Sequence, residues 1–154
     1  MLRVDFLLNH PEKAWEVSEM IYKEFVVKSG GNKSFEDVLK YFSNTKNNAF
    51  PITLIALENE MCLGTVSIFE NDLKARGMYK PWLASLYTKP EYRGKGIGQS
   101  LINQTIKVVK ELGFNTLYLR TEDVSDYYRS RGWTHVESLS DDKHEKIDVF
   151  MMQC

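Results

Sequence analysis

Residues 82–113 run from a short apolar segment through a glycine-spaced turn into a helical stripe, and this junction restricts the chain to folds in which a buried strand feeds a long helix. The segment 82–88 is nearly all apolar and is closed by Pro90, the pattern of a buried strand. Gly94, Gly96 and Gly98 then fall at alternate positions, where backbone can turn tightly and approach a ligand with no Cβ in the way. Ile97, Leu101, Thr105, Val108, Val109 and Leu112 recur at helical spacing, with Gly113 where a C-cap belongs. Such a turn leaves the first amides of its helix unpaired at the positive end of the helix dipole. The segment therefore predicts an anion site, and phosphate is the expected ligand.

Spacing separates the phosphate loops that compete for this stretch. The pattern G-x-x-x-x-G-K-[ST] fails because Lys95 is followed by Gly96, and G-x-G-x-x-G fails because the three glycines are two apart throughout. What fits is R-x-x-G-x-G, with Arg93, Gly96 and Gly98 directly after a strand. That pattern resembles the coenzyme A pyrophosphate loop of the GNAT superfamily of N-acetyltransferases. The segment Tyr127-Tyr128-Arg129-Ser130-Arg131-Gly132-Trp133 resembles the superfamily's C-terminal Phe-Tyr-x-x-x-Gly-Phe motif, in the right order and at about the right distance.

Bulk properties exclude several other classes. The chain has 154 residues, enough for a single core and too few for two, so one domain over 1–154 is expected. Twenty-one acidic against 20 basic side chains, interspersed, argue against a nucleic-acid surface or a polybasic membrane patch. No apolar run approaches the ~20 residues that span a bilayer, and the N-terminus lacks the basic-then-apolar layout of a signal peptide, so a cytoplasmic location is expected. Cys62 and Cys154 are unclustered, and His10, His135 and His144 lack metal-ligand spacing, which predicts neither disulfide nor metal.

Elsewhere the pattern alternates strands and helices. A strand is expected at 2–8, then an amphipathic helix at 12–28 with Ala14, Val17, Ile21 and Phe25 on one face, broken from Ser29 onward. Ser34 and Asp37 resemble a capping box for a second helix, while 51–57 and 61–69 read as a hairpin turning at Asn59, with Gly64 marking a bulge. After the long helix come a strand at 116–120, a short helix at 125–131 and closing strands at 133–137 and 146–152. Between hairpin and central strand, residues 70–81 form a polar loop carrying Glu70 and Asp72. Either carboxylate is a candidate to take a proton from an incoming ammonium if its surroundings hold it near the working pH, with Asp123 a further candidate.

The resemblance implies an α/β fold: a mixed, mostly antiparallel sheet of six to seven strands, helices on both faces, and a central strand splayed from its neighbour. It implies that the backbone of Leu86, Tyr87 and Thr88 pairs with pantetheine amides, one of these amides polarising the thioester. The turn of Gly94, Gly96, Ile97, Gly98, Gln99 and Ser100 would hold the pyrophosphate, with Arg93 and Lys95 adding charge. Tyr128 would protonate the departing thiolate, and Tyr41, Phe42 and 43–48 would contact the acceptor. Many relatives carry an asparagine that contacts the coenzyme A arm just after the 116–120 strand, where this chain reads Thr121-Glu122-Asp123-Val124, which leaves Thr121 or Ser125 to serve. The expected activity is N-acetyl transfer from acetyl-CoA, as acyl donor substrate, to a primary amine of a small molecule or peptide by direct attack. The partners implied are those two substrates, with no nucleic acid or membrane, in a monomer or homodimer. A non-catalytic acyl-CoA sensor and a different nucleotide-binding α/β protein are the alternatives.

Overall fold

Apolar side chains on both faces of one strand mark the centre of the first half of the sheet. In the computed structural model, which describes residues 1–28, 30–141 and 143–154, β2 (Ile52–Glu58) is buried from Ile52 through Leu57 and pairs antiparallel with β1 (Arg3–Phe6) and β3 (Met61–Phe69). Asn59 and Glu60 join β2 to β3 with both φ angles positive, the two-residue turn whose twist suits a hairpin. Opposite the Ala56–Leu57 step, β3 uses one residue more, passing from Gly64 to Cys62, so the bulge expected at Gly64 is present.

Two compact units make up the chain: Met1–Ile68 with Ser85–Thr105, and Phe69–Ala84 with Ile106–Cys154. The first holds α1 (Ala14–Ile21) and α2 (Phe35–Ser43). Its core gathers Leu7, Val17, Met20, Ile21, Val38, Phe42, Ile55, Leu57 and Cys62. The Cys62 thiol is fully buried and pushed up to about 11, by its burial first and by Glu16 second. At α2 the capping box is complete: the Asp37 amide donates to Ser34 Oγ (3.1 Å) and the Ser34 amide to Asp37 Oδ2 (3.2 Å). Such a cap contributes about 1 kcal/mol.

The first helix departs from expectation. A 3-10 turn at Pro11–Lys13 precedes α1, and from Tyr22 to Val27 the backbone is π-helical. The wider turn rotates later side chains off the α stripe, so Ala14, Val17 and Ile21 are buried while Phe25 is 41% exposed. Ser29, the first expected helix breaker, lies outside the described residues. The first strand is also shorter than expected, giving way to a 3-10 turn at Leu7–Asn9.

The second unit contains β5 (Thr116–Thr121), α4 (Ser125–Arg129), β6 (Thr134–Ser140) and β7 (Lys146–Gln153). β7 lies antiparallel between β5 and β6, and β6 runs to Ser140, beyond its expected end. β4 (Trp82–Thr88) and α3 (Ile97–Glu111) each run through both units. The Gly113 amide donates to Lys110 O (3.0 Å) and Phe114 N to Val109 O (3.1 Å), the paired bonds that close a helix at a C-terminal glycine. The sheet is seven-stranded, open and mostly antiparallel, in the order β1-β2-β3-β4-β5-β7-β6. Among the described residues the parallel register of β4 with β5 is the single pair Trp82 opposite Tyr118.

Gly64 shows how closely packed the first unit is. A Cβ there would lie 2.6 Å from the Tyr87 carbonyl oxygen and 3.2 Å from Thr88 Cα, both backbone atoms. Gly64→Ala is therefore expected to cost about 1–3 kcal/mol, the usual range for overpacking, read as a lower urea midpoint at unchanged slope.

Candidate active site

Chain order places a 3-10 turn, Pro90–Tyr92, after β4, and the glycine turn follows into α3. Gly94 and Gly96 both take φ near +80°, a region closed to most L side chains, and an added Cβ at either meets nothing within 4 Å. Each glycine therefore borders open space. The first amide of α3 with a backbone partner is Ser100, which donates to Gly96 O (3.0 Å). Among the described residues the amides from Gly94 to Gln99 have no protein acceptor, so donors converge at the helix start with nothing bonded to them.

Cationic side chains flank those donors. Arg93 Nε donates to Thr88 O (2.8 Å) and its guanidinium carbon lies 5.3 Å from the centre of the Tyr87 ring, which leaves its terminal nitrogens for another ligand. Lys95 is exposed, its ammonium 5.8 Å from the Tyr92 ring centre. Lys89 ties the end of β4 into the unit through its amide to Leu63 O (2.9 Å) and its ammonium to Glu16. Leu86, Tyr87 and Thr88 are half-buried. Just before them Ser85 adopts φ 54°, uncommon for a residue other than glycine and found where a strand is locally kinked. Its identity gave no signal of this, because serine inside an apolar run reads as an ordinary strand residue.

In the second unit Tyr128 is buried among Tyr127, Trp133 and Phe150, with ring centres 5.1, 5.9 and 6.3 Å away. Burial pushes its phenol up to about 12, with Tyr127 and Asp123 adding to the effect, so it holds its proton throughout the physiological range. The two loop acids are not equivalent. Glu70 is exposed, whereas Asp72 is half-buried and its carboxyl is lifted by burial to about 6, Arg120 lowering it and Glu122 raising it. Arg120 also reaches the Asp72 carbonyl (3.4 Å) and pairs with Glu122 Oε1 (2.7 Å).

The remaining expected contacts are distributed unevenly. Asp123 is exposed; Thr121 is buried and accepts from the Val124 amide (3.2 Å). The Ser125 hydroxyl donates to Asp148 Oδ2 (2.5 Å), so its proton is already committed. Ser138 Oγ donates to the other oxygen (2.6 Å), and the two serines hold the Asp148 carboxyl down at about 2. Phe42 is a core residue of the first unit and Tyr41 is 37% exposed, so of that pair the tyrosine is the one able to meet a ligand. Among the described residues no group of three His, Cys, Asp or Glu side chains could hold a metal ion.

The comparison that decides the family is one of sequence: the model of the acetyltransferase (GNAT) family matches residues 14–133. The chain belongs to the GNAT family. No curated protein matches it. Among solved structures, an aminoglycoside 6'-acetyltransferase type Ii is similar with a TM-score of 0.76 and 19% identity, over 98% of this chain and 96% of that one. An aminoglycoside 6'-N-acetyltransferase complexed with coenzyme A gives 0.75 and 15%, over 99% and 96%. A putative acetyltransferase from Salmonella typhimurium with its cofactor acetyl-CoA gives 0.75 and 14%, over 99% and 93%. At these identities the likeness is one of fold alone. No helix is long and apolar enough to cross a membrane among the described residues.

Proposed function

We propose that this GNAT chain is an N-acetyltransferase that moves an acetyl group from acetyl-CoA to a primary amine by direct attack. The observation that carries the reading is the open turn, where the amides of Gly94 to Gln99 have no protein acceptor and Arg93 and Lys95 stand beside them. Two of the similar structures hold coenzyme A or acetyl-CoA, which fits a diphosphate at such a turn. Acetyl-CoA supplies an activated thioester. The turn binds its pyrophosphate, and the backbone of Leu86, Tyr87 and Thr88 aligns the pantetheine arm. Asp72 removes a proton from the acceptor's ammonium, freeing the nitrogen lone pair; as the new C–N bond forms, the C–S bond breaks and the sulfur leaves with its electron pair. The acylated nitrogen gives up its second proton to water to become the neutral amide, and the released thiolate equilibrates with solvent protons.

The height of the Tyr128 phenol refines its role. A thiol ionises near 8.5, about 3.5 units below Tyr128, so complete proton transfer to a free thiolate would be uphill by about 5 kcal/mol. Tyr128 therefore acts as a hydrogen-bond donor that steadies the charge on sulfur. A hydrogen bond to a charged group is worth about 1.5–3 kcal/mol, so Tyr128→Phe is expected to lower kcat about 10- to 150-fold. Calorimetry on the same variant should return a coenzyme A affinity within about twofold of the parent, since a ground-state thiol gains little from that bond.

Calorimetric titration with coenzyme A tests the proposal, followed by thiol release from acetyl-CoA with polyamines, aminoglycosides, amino acids and lysyl peptides. Absence of coenzyme A binding would remove the basis of the reading. Tight binding with no amine-dependent thiol release would favour the acyl-CoA sensor instead.

A further inference from the structure

The loop 70–81 has little regular structure, a single 3-10 turn at Lys74–Arg76, yet within the second unit its side chains are tied to β6 and β5. Arg76 forms a two-pronged bond to Glu137, Nε to Oε2 at 2.9 Å and a terminal nitrogen to Oε1 at 2.6 Å. The Tyr79 hydroxyl donates to Oε2 as well, at 2.8 Å. Both oxygens of one carboxylate are thereby occupied by the loop. Tyr79 stacks flat on Tyr118 of β5 (4.7 Å, 4°), and its carbonyl accepts from Trp82 Nε1 at 2.5 Å. Planar guanidinium and carboxylate groups joined by two bonds fix orientation as well as distance.

A sheet irregularity provides the acceptor. His135 lies opposite Phe150 and Glu137 opposite Val149, so β6 carries one residue more than β7 at this step. Strict alternation would send Glu137 to the same face as His135; the bulge changes where it points, and its carboxylate meets the loop. The other half of the same loop carries Asp72, whose carbonyl accepts from Arg120 (3.4 Å) and whose carboxyl has Arg120 and Glu122 as the charged groups that face it.

We propose that Glu137 is a positioning residue: by gripping Arg76 and Tyr79 it holds the 70–81 loop in the one arrangement that keeps Asp72 half-buried. The inference rests on Asp72 as the base of the proposed reaction, and it deepens that reading by naming what keeps the base in place. Loss of the grip lets the loop rise into water, and Asp72 becomes an ordinary surface carboxylate.

The test is made on the full chain with Glu137→Gln, which keeps the side chain's size and removes its charge, and with Tyr79→Phe as a milder variant that keeps the ring stack. Carbon-detected NMR follows the Asp72 carboxyl through a pH titration, and hydrogen exchange follows the amides of Arg76 and Tyr79, which donate to Leu73 O and Arg76 O within the loop. In Glu137→Gln the Asp72 midpoint is expected to fall from about 6 toward ~4, the surface value, with both amides exchanging about tenfold faster. Tyr79→Phe should move both in the same direction by less. An unchanged Asp72 midpoint in a folded Glu137→Gln protein overturns the proposal, even if the amides exchange faster, and so does unchanged exchange in both variants. The role of Asp72 as base is judged separately by Asp72→Asn turnover, so the two readings can fail independently.

Discussion

Gly96→Val is expected to weaken coenzyme A binding by about 100-fold or more while leaving a folded protein. Gly96 sits at φ 82° and an added Cβ there meets no atom of the described residues within 4 Å, so a side chain can start there without a clash at its first carbon. It is expected to occupy instead the space that the proposed pyrophosphate would take. Losing two hydrogen bonds to a charged phosphate, each worth about 1.5–3 kcal/mol, corresponds to at least ~100-fold in affinity. Valine at positive φ also strains the backbone by about 1–2 kcal/mol, so the melting midpoint should drop modestly. Gly30 separates the two effects, since it too has positive φ, at 71°, with nothing within 4 Å of a Cβ, and it lies outside the turn. Gly30→Val should reproduce the stability loss and leave the calorimetric affinity unchanged. Parental affinity in Gly96→Val would show that the diphosphate is bound elsewhere.

Asp72→Asn is expected to reduce amine-dependent thiol release by about 100- to 1,000-fold, the range in which a positioned general base acts. In the parent, activity should rise as pH passes through about 6, where Asp72 ionises, and level off above 7. The asparagine variant should lose that limb. Stability should move the other way. A carboxyl lifted above its unfolded value of about 4 favours the protonated form in the native state, so its contribution is fully present below pH ~4 and lost as pH rises through about 6. Ionised Asp72 is thus a burden at pH 8, and asparagine removes it, raising stability there by at most about 3 kcal/mol. Denaturant midpoints at pH 4 and pH 8 would show the change. Equal turnover in both proteins would dismiss Asp72 as base.

Local chemistry made several features legible. The capping box at Ser34 and Asp37, the hairpin at Asn59, the bulge at Gly64 and the glycine closure of α3 are each made by residues close in the chain, so residue type and spacing carry the information. The glycine turn is legible for the same reason. Features that depend on distant residues were hidden. Arg76 and Glu137 are 61 positions apart, and nothing in either neighbourhood announces that a bulge in β6 brings them together. Glu70 and Asp72 look interchangeable as loop acids; burial alone distinguishes them, and burial is decided by the fold around the loop. The π-helical stretch at Tyr22 escaped because its residues suit an α-helix equally well.

Cys62 has a practical bearing on every thiol-release measurement above. Chromogenic disulfides react with thiolates, and a thiol that ionises near 11 supplies only about one part in a thousand of that form at pH 8, behind walls of packed side chains. Cys154, half-buried at the end of the chain, is then the background to subtract. With Cys154→Ser in place, each new equivalent of colour reports one molecule of coenzyme A set free, and turnover can be counted directly on the folded protein.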